Sequence, residues 1–249
     1  MNNKKLRNKE RKNNMKRTFL LAFAMVVSTL AMAQREAGRF SVVPRVGVSL
    51  ANLSGDAIYQ DYAGQAMENK ARYKAGFVGG VDVDNQVLPQ LSVSLGAFYS
   101  QQGCRYGNNK TTLEINGKEY KNLGFSNMKS QADYLNIPLM FNLYVTPNLA
   151  FKAGAQLGLN LSGKYKYTET PYTVKENGDV VYEKSTDTEI DMNCKSVAFS
   201  IPLGVSYEYE NVVVDARYNI GLTRISDIKY VKNPKSQVIE FTVGYRFGL

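Results

Sequence analysis

The chain ends in VIEFTVGYRFGL, Val238 to Leu249. Ile239, Phe241, Val243, Tyr245, Phe247 and Leu249 share one parity; Glu240, Thr242, Gly244, Arg246 and Gly248 share the other. A β-strand sends successive side chains to opposite faces, so this stretch predicts a strand with one apolar and one polar face. The same period recurs upstream. VVVDARYNIGL sets Val212, Val214, Ala216, Tyr218, Ile220 and Leu222 against Asp215, Arg217, Asn219 and Gly221. SVAFSIPLGVSYEY sets Val197, Phe199, Ile201, Leu203, Val205, Tyr207 and Tyr209 against Ser200, Gly204, Ser206 and Glu208. LAFKAGAQLGLNLSG sets Leu149, Phe151, Ala153, Ala155, Leu157, Leu159 and Leu161 against Lys152, Gly154, Gln156, Gly158 and Asn160. Looser alternation marks YLNIPLMFNLYV, LSVSLGAFYS, AGFVGGVDVD and FSVVPRVGVSL. These make eight predicted strands, each near the ~9–11 residues that cross a bilayer when tilted.

Alternation alone does not say which face is inside. A soluble sandwich buries the apolar set and wets the polar one. A ligand-binding soluble barrel turns the apolar set onto a cavity. A membrane barrel turns it onto lipid. Here the polar faces are rich in Gly and Ser, as a cramped lumen requires. They also carry isolated charges of both signs, Arg45, Asp82, Lys152, Asp215, Arg217, Glu240 and Arg246, which can pair across a narrow interior. The connections alternate in length. Long ones run over roughly 52–72, 103–131, 163–193 and 223–237; short ones over 85–90, 146–148 and 210–211. Long outer loops and short periplasmic turns belong to outer-membrane barrels. The expected fold is therefore an all-β, eight-stranded, antiparallel up-and-down transmembrane barrel with both termini periplasmic. The soluble barrel is the alternative.

The front of the chain agrees on compartment. Eight basic residues and one acid precede Thr18, and the apolar run FLLAFAMVVSTLAMA closes on Ala31-Met32-Ala33. A basic region, a short apolar core and an A-x-A end describe a secretory signal peptide over 1–33, leaving a barrel domain over 34–249. The whole chain is +9, with 31 basic and 22 acidic residues. The leader supplies most of this excess, and the remainder carries a net of only about +2. No compact basic run remains, so overall basicity gives no reason to expect a nucleic-acid partner.

Tyr207, Tyr209, Tyr245, Phe247 and Phe40 fall near predicted periplasmic strand ends, and Tyr99 and Tyr165 near outer ends, where aromatic rings favour the headgroup zone. Pro138 and Pro202 sit in matching Ile-Pro-Leu contexts on the polar parity, which predicts a local kink or bulge. YLNIPLMFNLY, FKAGAQLGLNLSG, FSIPLGVSYEY and FTVGYRFGL together resemble the outer-membrane β-barrel family of Bacteroidetes-type bacteria often labelled "porin family" or PorT-like. The resemblance covers Phe40 to Leu249. It implies an outer-membrane barrel and, through PorT-like members, a tie to protein secretion; it supplies no catalytic residues.

The chain contains no His, which removes Ser-His-Asp, Cys-His and His-metal chemistry. Acid pairs such as Asp56/Asp61 and Glu183/Asp187 lack calcium-loop spacing and read as solvated loop charge. No enzyme, cofactor or metal is expected. Cys104 and Cys194 fall on the lumen parity at outer strand ends; a disulfide between them is an open expectation. LEINGKEY and TVKENGDVVY place Asn-Gly between extended flanks and predict two tight hairpins beyond the outer surface. An eight-stranded lumen is filled by its own side chains. The expected function is a non-enzymatic structural or interaction barrel acting through its outer loops, embedded in outer-membrane lipid. The alternatives are an accessory component of a secretion machine, with envelope protein partners, and a narrow solute channel.

Overall fold

The computed structural model describes residues 36–54, 58–62, 65–115, 119–226 and 234–249, with side chains described outside 58–69 and 113–121. The expected signal peptide lies outside the described residues. In chain order the strands are β1 (Phe40–Ser54), β2 (Ile58–Tyr62), β3 (Gln65–Asn69), β4 (Lys74–Leu88), β5 (Leu91–Arg105), β6 (Asn109–Ile115) and β7 (Glu119–Tyr144). They continue with β8 (Leu149–Val174), β9 (Val180–Tyr182), β10 (Thr186–Asp191), β11 (Val197–Tyr209), β12 (Val212–Gly221), β13 (Lys235–Tyr245) and β14 (Phe247–Gly248).

Eight of these close a ring. Each of β1, β4, β5, β7, β8, β11, β12 and β13 pairs antiparallel with the next, and β13 returns to β1. Closure explains why the apolar stripe runs to the terminus. Val48 pairs with Phe241, Val42 pairs with Phe247, and the Leu249 amide donates to the Phe40 carbonyl at 2.9 Å. Lipid offers no partner to a free backbone group, so the last strand must hold its register to its end.

The two faces are inverted relative to a water-soluble protein. Val46, Leu95, Phe151 and Phe241 are about half exposed, whereas Ser49, Ser92, Ser100, Asp215 and Arg217 are buried. A continuous outer belt of this kind has no place in water. The lumen also takes apolar residues, including Val43, Val78, Phe98, Met140 and Val238. Tyr207, Tyr209, Tyr245, Phe247 and Phe40 ring the outside near the rim where β1 begins and β14 ends, hereafter the near rim.

The short connections all lie at that rim. Glu210 (φ 47°) and Asn211 (φ 69°) form a two-residue turn with both residues left-handed, the geometry that matches strand twist. At the opposite, far rim the stretches expected to be long loops are largely strand. β7 and β8 continue far past the apolar belt as one hairpin, flanked by β6 on one side and by β9 and β10 on the other. β2 and β3 form a separate hairpin. The Asn177-Gly178 turn is not the tight form expected: Gly178 alone is left-handed (φ 87°), and the loop runs from Lys175 to Asp179. Asn116-Gly117 lies outside the described residues.

Pro138 and Pro202 point into the lumen. Each keeps its pairing on one side, with Gln156 and Asn219, while the ladder on the other side is interrupted beside it. A missing amide accounts for a gap on one edge only. A bulge at Leu161 has wider consequences. Tyr134 faces Asn160 but Asp133 faces Ser162, so β8 changes parity there. Above it Tyr165 and Tyr167 turn inward and Lys164 and Lys166 turn outward. Tyr165 therefore joins an inner core, not the outer aromatic belt expected from its position.

Candidate functional site

Side-chain clusters lie at three heights along the lumen. At its centre, Arg45, Lys152 and Arg217 face Asp82, Asp215 and Glu240. Arg45 pairs with Asp82 and, at 2.8 Å, with Asp215. Arg217 pairs with Asp215 at 2.8 Å and with Asp82 at 3.1 Å. Lys152 Nζ reaches Asp215 Oδ2 at 2.6 Å, and Glu240 accepts from Ser100 at 3.2 Å. Three cations thus pair with the Asp82 and Asp215 carboxylates away from bulk water, where unpaired charge would be costly. Phe98 lies beneath both guanidinium groups, 4.7 Å from Arg45 Cζ and 5.6 Å from Arg217 Cζ.

The inward glycines make room for this network. A side chain at Gly96 would stand 2.3 Å from Asp82 Oδ1, and one at Gly244 would stand 2.3 Å from Arg45 Cγ. Their small size is a packing requirement of the charges opposite. Between the centre and the far rim lies a cavity of about 20 Å³, lined in part by Asn136, Gln156 and Asn219. That is room for about one water molecule.

Arg246, expected in the same network, lies apart from it at the near rim. It donates to Asp84 at 2.7 Å, Glu208 at 2.9 Å, Ser41 at 2.6 Å and the Tyr144 hydroxyl at 3.3 Å. Asn142 extends this gate to Ser92 and Ser94. Asp84, Glu208 and Phe98 were not singled out from the sequence, although their inward parity was readable there.

The third cluster is apolar. Cys104, Tyr106, Leu123, Phe125 and Met128 form a buried core over the far mouth, with Tyr165 and Tyr167 packed against it. Its rings lie 5.7–5.9 Å apart in tilted pairs. Cys104 is a buried free thiol contacting Ser130 Oγ at 3.2 Å. Cys194 is a half-buried free thiol packed against Gly163. The two cysteines, left open as a disulfide by the sequence, are both free here, one sulfur against Ser130 and the other against Gly163.

The outer wall above the belt carries a feature that no single stretch of sequence announces. Arg72 pairs with Arg105, Arg105 with Lys129, Lys129 with Lys166, and Lys166 with Glu189, in one cross-strand row. A compact basic patch thus exists, against the expectation from composition, because four separated segments each contribute one cation. Glu189 bridges Lys164 and Lys166, and those two ammonium groups hold its carboxyl down at about 2. Beside the row opens a cleft of about 550 Å³, lined by Arg105, Lys129, Lys166 and Glu189 together with Tyr167 and Asn127. Among the described residues no group of His, Cys, Asp and Glu is arranged to hold a metal ion.

Residues 32–227 match the family model described as "Outer membrane protein beta-barrel domain". Curated protein sequences give no match. Among solved structures, similarity extends to the attachment invasion locus protein Ail of Yersinia pestis (12% identity, TM-score 0.39, 85% of this chain and 100% of that one). It extends also to Neisserial surface protein A (15%, 0.40, 84% and 97%) and to the outer membrane protease OmpT of Escherichia coli (10%, 0.42, 85% and 97%).

Proposed function

This chain belongs to the outer membrane protein β-barrel domain family, and we propose that it is a non-enzymatic, closed-lumen barrel that works through the sheet above its far rim. With short turns and both termini in the periplasm, the usual arrangement of such barrels, that sheet is extracellular. The observation that carries the reading is the central ion-pair network. Arg45, Asp82, Asp215 and Arg217 meet in the lumen from β1, β4 and β12, with Lys152 of β8 and the Phe98 ring of β5 beside them, which supports a lumen filled by its own side chains. What the barrel offers its surroundings is then the long β7–β8 hairpin with its flanking strands. Planar-bilayer recording tests this. The wild-type protein is expected to be electrically silent, and an R45A/R217A variant, shown to fold by its gel-mobility shift on heating, to pass current. Steady unit conductance in the wild type would replace this reading with the narrow channel.

Protein partners are favoured by one further observation. β6 and β10 are the end strands of the described sheet order, and such edges accept an added strand. An accessory role in a secretion assembly, as in PorT-like barrels, would use these edges. Crosslinking and pulldown from intact outer membranes separates it from a solitary surface barrel: recovery of one stoichiometric envelope protein selects the assembly.

A further inference from the structure

We infer that the outer wall above the lipid belt holds a binding site for a phosphate-bearing saccharide. The first ground is an electrostatic conflict. Directly opposed like charges destabilise an antiparallel pair, yet Arg72, Arg105, Lys129 and Lys166 are opposed in three consecutive pairs. Glu189 is the one carboxylate in the row, and it is already shared between Lys164 and Lys166. Among the described residues, neither Arg105 nor Lys129 has an ion-pair partner. A bound multivalent anion resolves the conflict, and guanidinium and ammonium groups in one row suit phosphate oxygens.

The second ground is the cleft beside the row. Its volume of about 550 Å³ is in the range of small-molecule sites. Beyond the cations its walls carry Asn108, Asn127, Thr168 and Thr188, together with the Glu189 and Asp187 carboxylates, the latter accepting from Thr168 Oγ1 at 2.7 Å. Amides, hydroxyls and carboxylates together both donate and accept, as the hydroxyl-rich body of a sugar requires, whereas carboxylates have nothing to accept from a bare phosphate anion. Height is the third ground. From Leu135, the last apolar outward residue of β7, to Lys129 the strand climbs about 14 Å, taking ~3.3 Å per residue and a tilt near 45°. On the lipid-facing side this level lies above the hydrocarbon and within reach of a sugar headgroup. The ligand chemistry is the same whether the sugar phosphate is soluble or is the headgroup of an outer-leaflet glycolipid.

The inference rests on the far rim being extracellular but not on the lumen being closed, so the conductance test can fail without it. The test uses the protein in phosphatidylcholine vesicles, with an R105Q/K129Q/K166Q variant whose folding is checked by its gel-mobility shift. Glucose 6-phosphate, glucose and inorganic phosphate are titrated as soluble probes, and diphosphorylated lipid A is mixed into the bilayer as the lipid-borne probe. Glucose 6-phosphate or lipid A is expected to bind the wild type at least tenfold more tightly than the variant; which of the two does so identifies the source. Equal binding to wild type and variant, or no binding of either, overturns the site. Inorganic phosphate binding as tightly as glucose 6-phosphate overturns the saccharide assignment.

Discussion

Arg217 donates from Nε to Asp215 Oδ1 at 2.8 Å, two positions apart on the inward face of β12. Asp215 also receives Arg45 and Lys152, so one carboxylate answers three cations. Asp215→Asn leaves those cations facing Asp82 and Glu240 alone. Removing one partner from buried ion pairs costs roughly 3–5 kcal/mol. Urea unfolding in vesicles is expected to show a loss of about 3 kcal/mol or more. A loss below about 1 kcal/mol would mean that lumen water screens the cluster far better than its burial implies.

The orientation of the faces makes a depth-dependent prediction. Phe241 sits on the outer belt opposite Val48, and Leu249 lies at the near rim. An outward basic residue costs about 2–4 kcal/mol at the bilayer midplane and about 0–1 near the interface. Phe241→Arg should therefore lower unfolding stability by the larger amount and Leu249→Arg by the smaller. Equal effects, or none, would be incompatible with lipid on that face.

The two thiols should behave differently. Without reductant, a thiol reagent is expected to find Cys194 in the folded protein within the normal assay time and Cys104 only on unfolding. Absence of any thiol before reductant is added would show that the rim rearranges to join them.

Glu189 gives a pH test outside the membrane. Hydrogen bonds from Lys164 and Lys166 hold its carboxyl at about 2, below the usual value near ~4.3. For an acid with a depressed folded-state pKa, the stabilisation is complete above the unfolded value. It is lost as pH falls through the folded one. The protection of β10 amides relative to their intrinsic exchange at each pH should thus hold down to about pH 4 and fall toward pH 2. In K164Q/K166Q the same change should begin about one to two units higher, near the ordinary glutamate range. Identical profiles would show that backbone pairing alone holds β10.

Much of the barrel was determined by residue order. Period-two alternation fixed eight strands, their inward set and the short turns, because lipid and lumen impose opposite chemistries on alternate residues. Arg45, Asp82, Lys152, Asp215, Arg217 and Glu240 could be assigned inward from parity alone. Which of them meet could not be. Pairing depends on strand register and height around a closed ring, and this placed Arg246 in a separate gate with Asp84 and Glu208. The far rim was least legible. One extra residue at Leu161 reverses the facing of everything beyond it, and hydrogen bonding to neighbours turns apparent loops into strand. The row Arg72, Arg105, Lys129, Lys166 exists only because four distant segments are brought into register, so no local pattern could carry it.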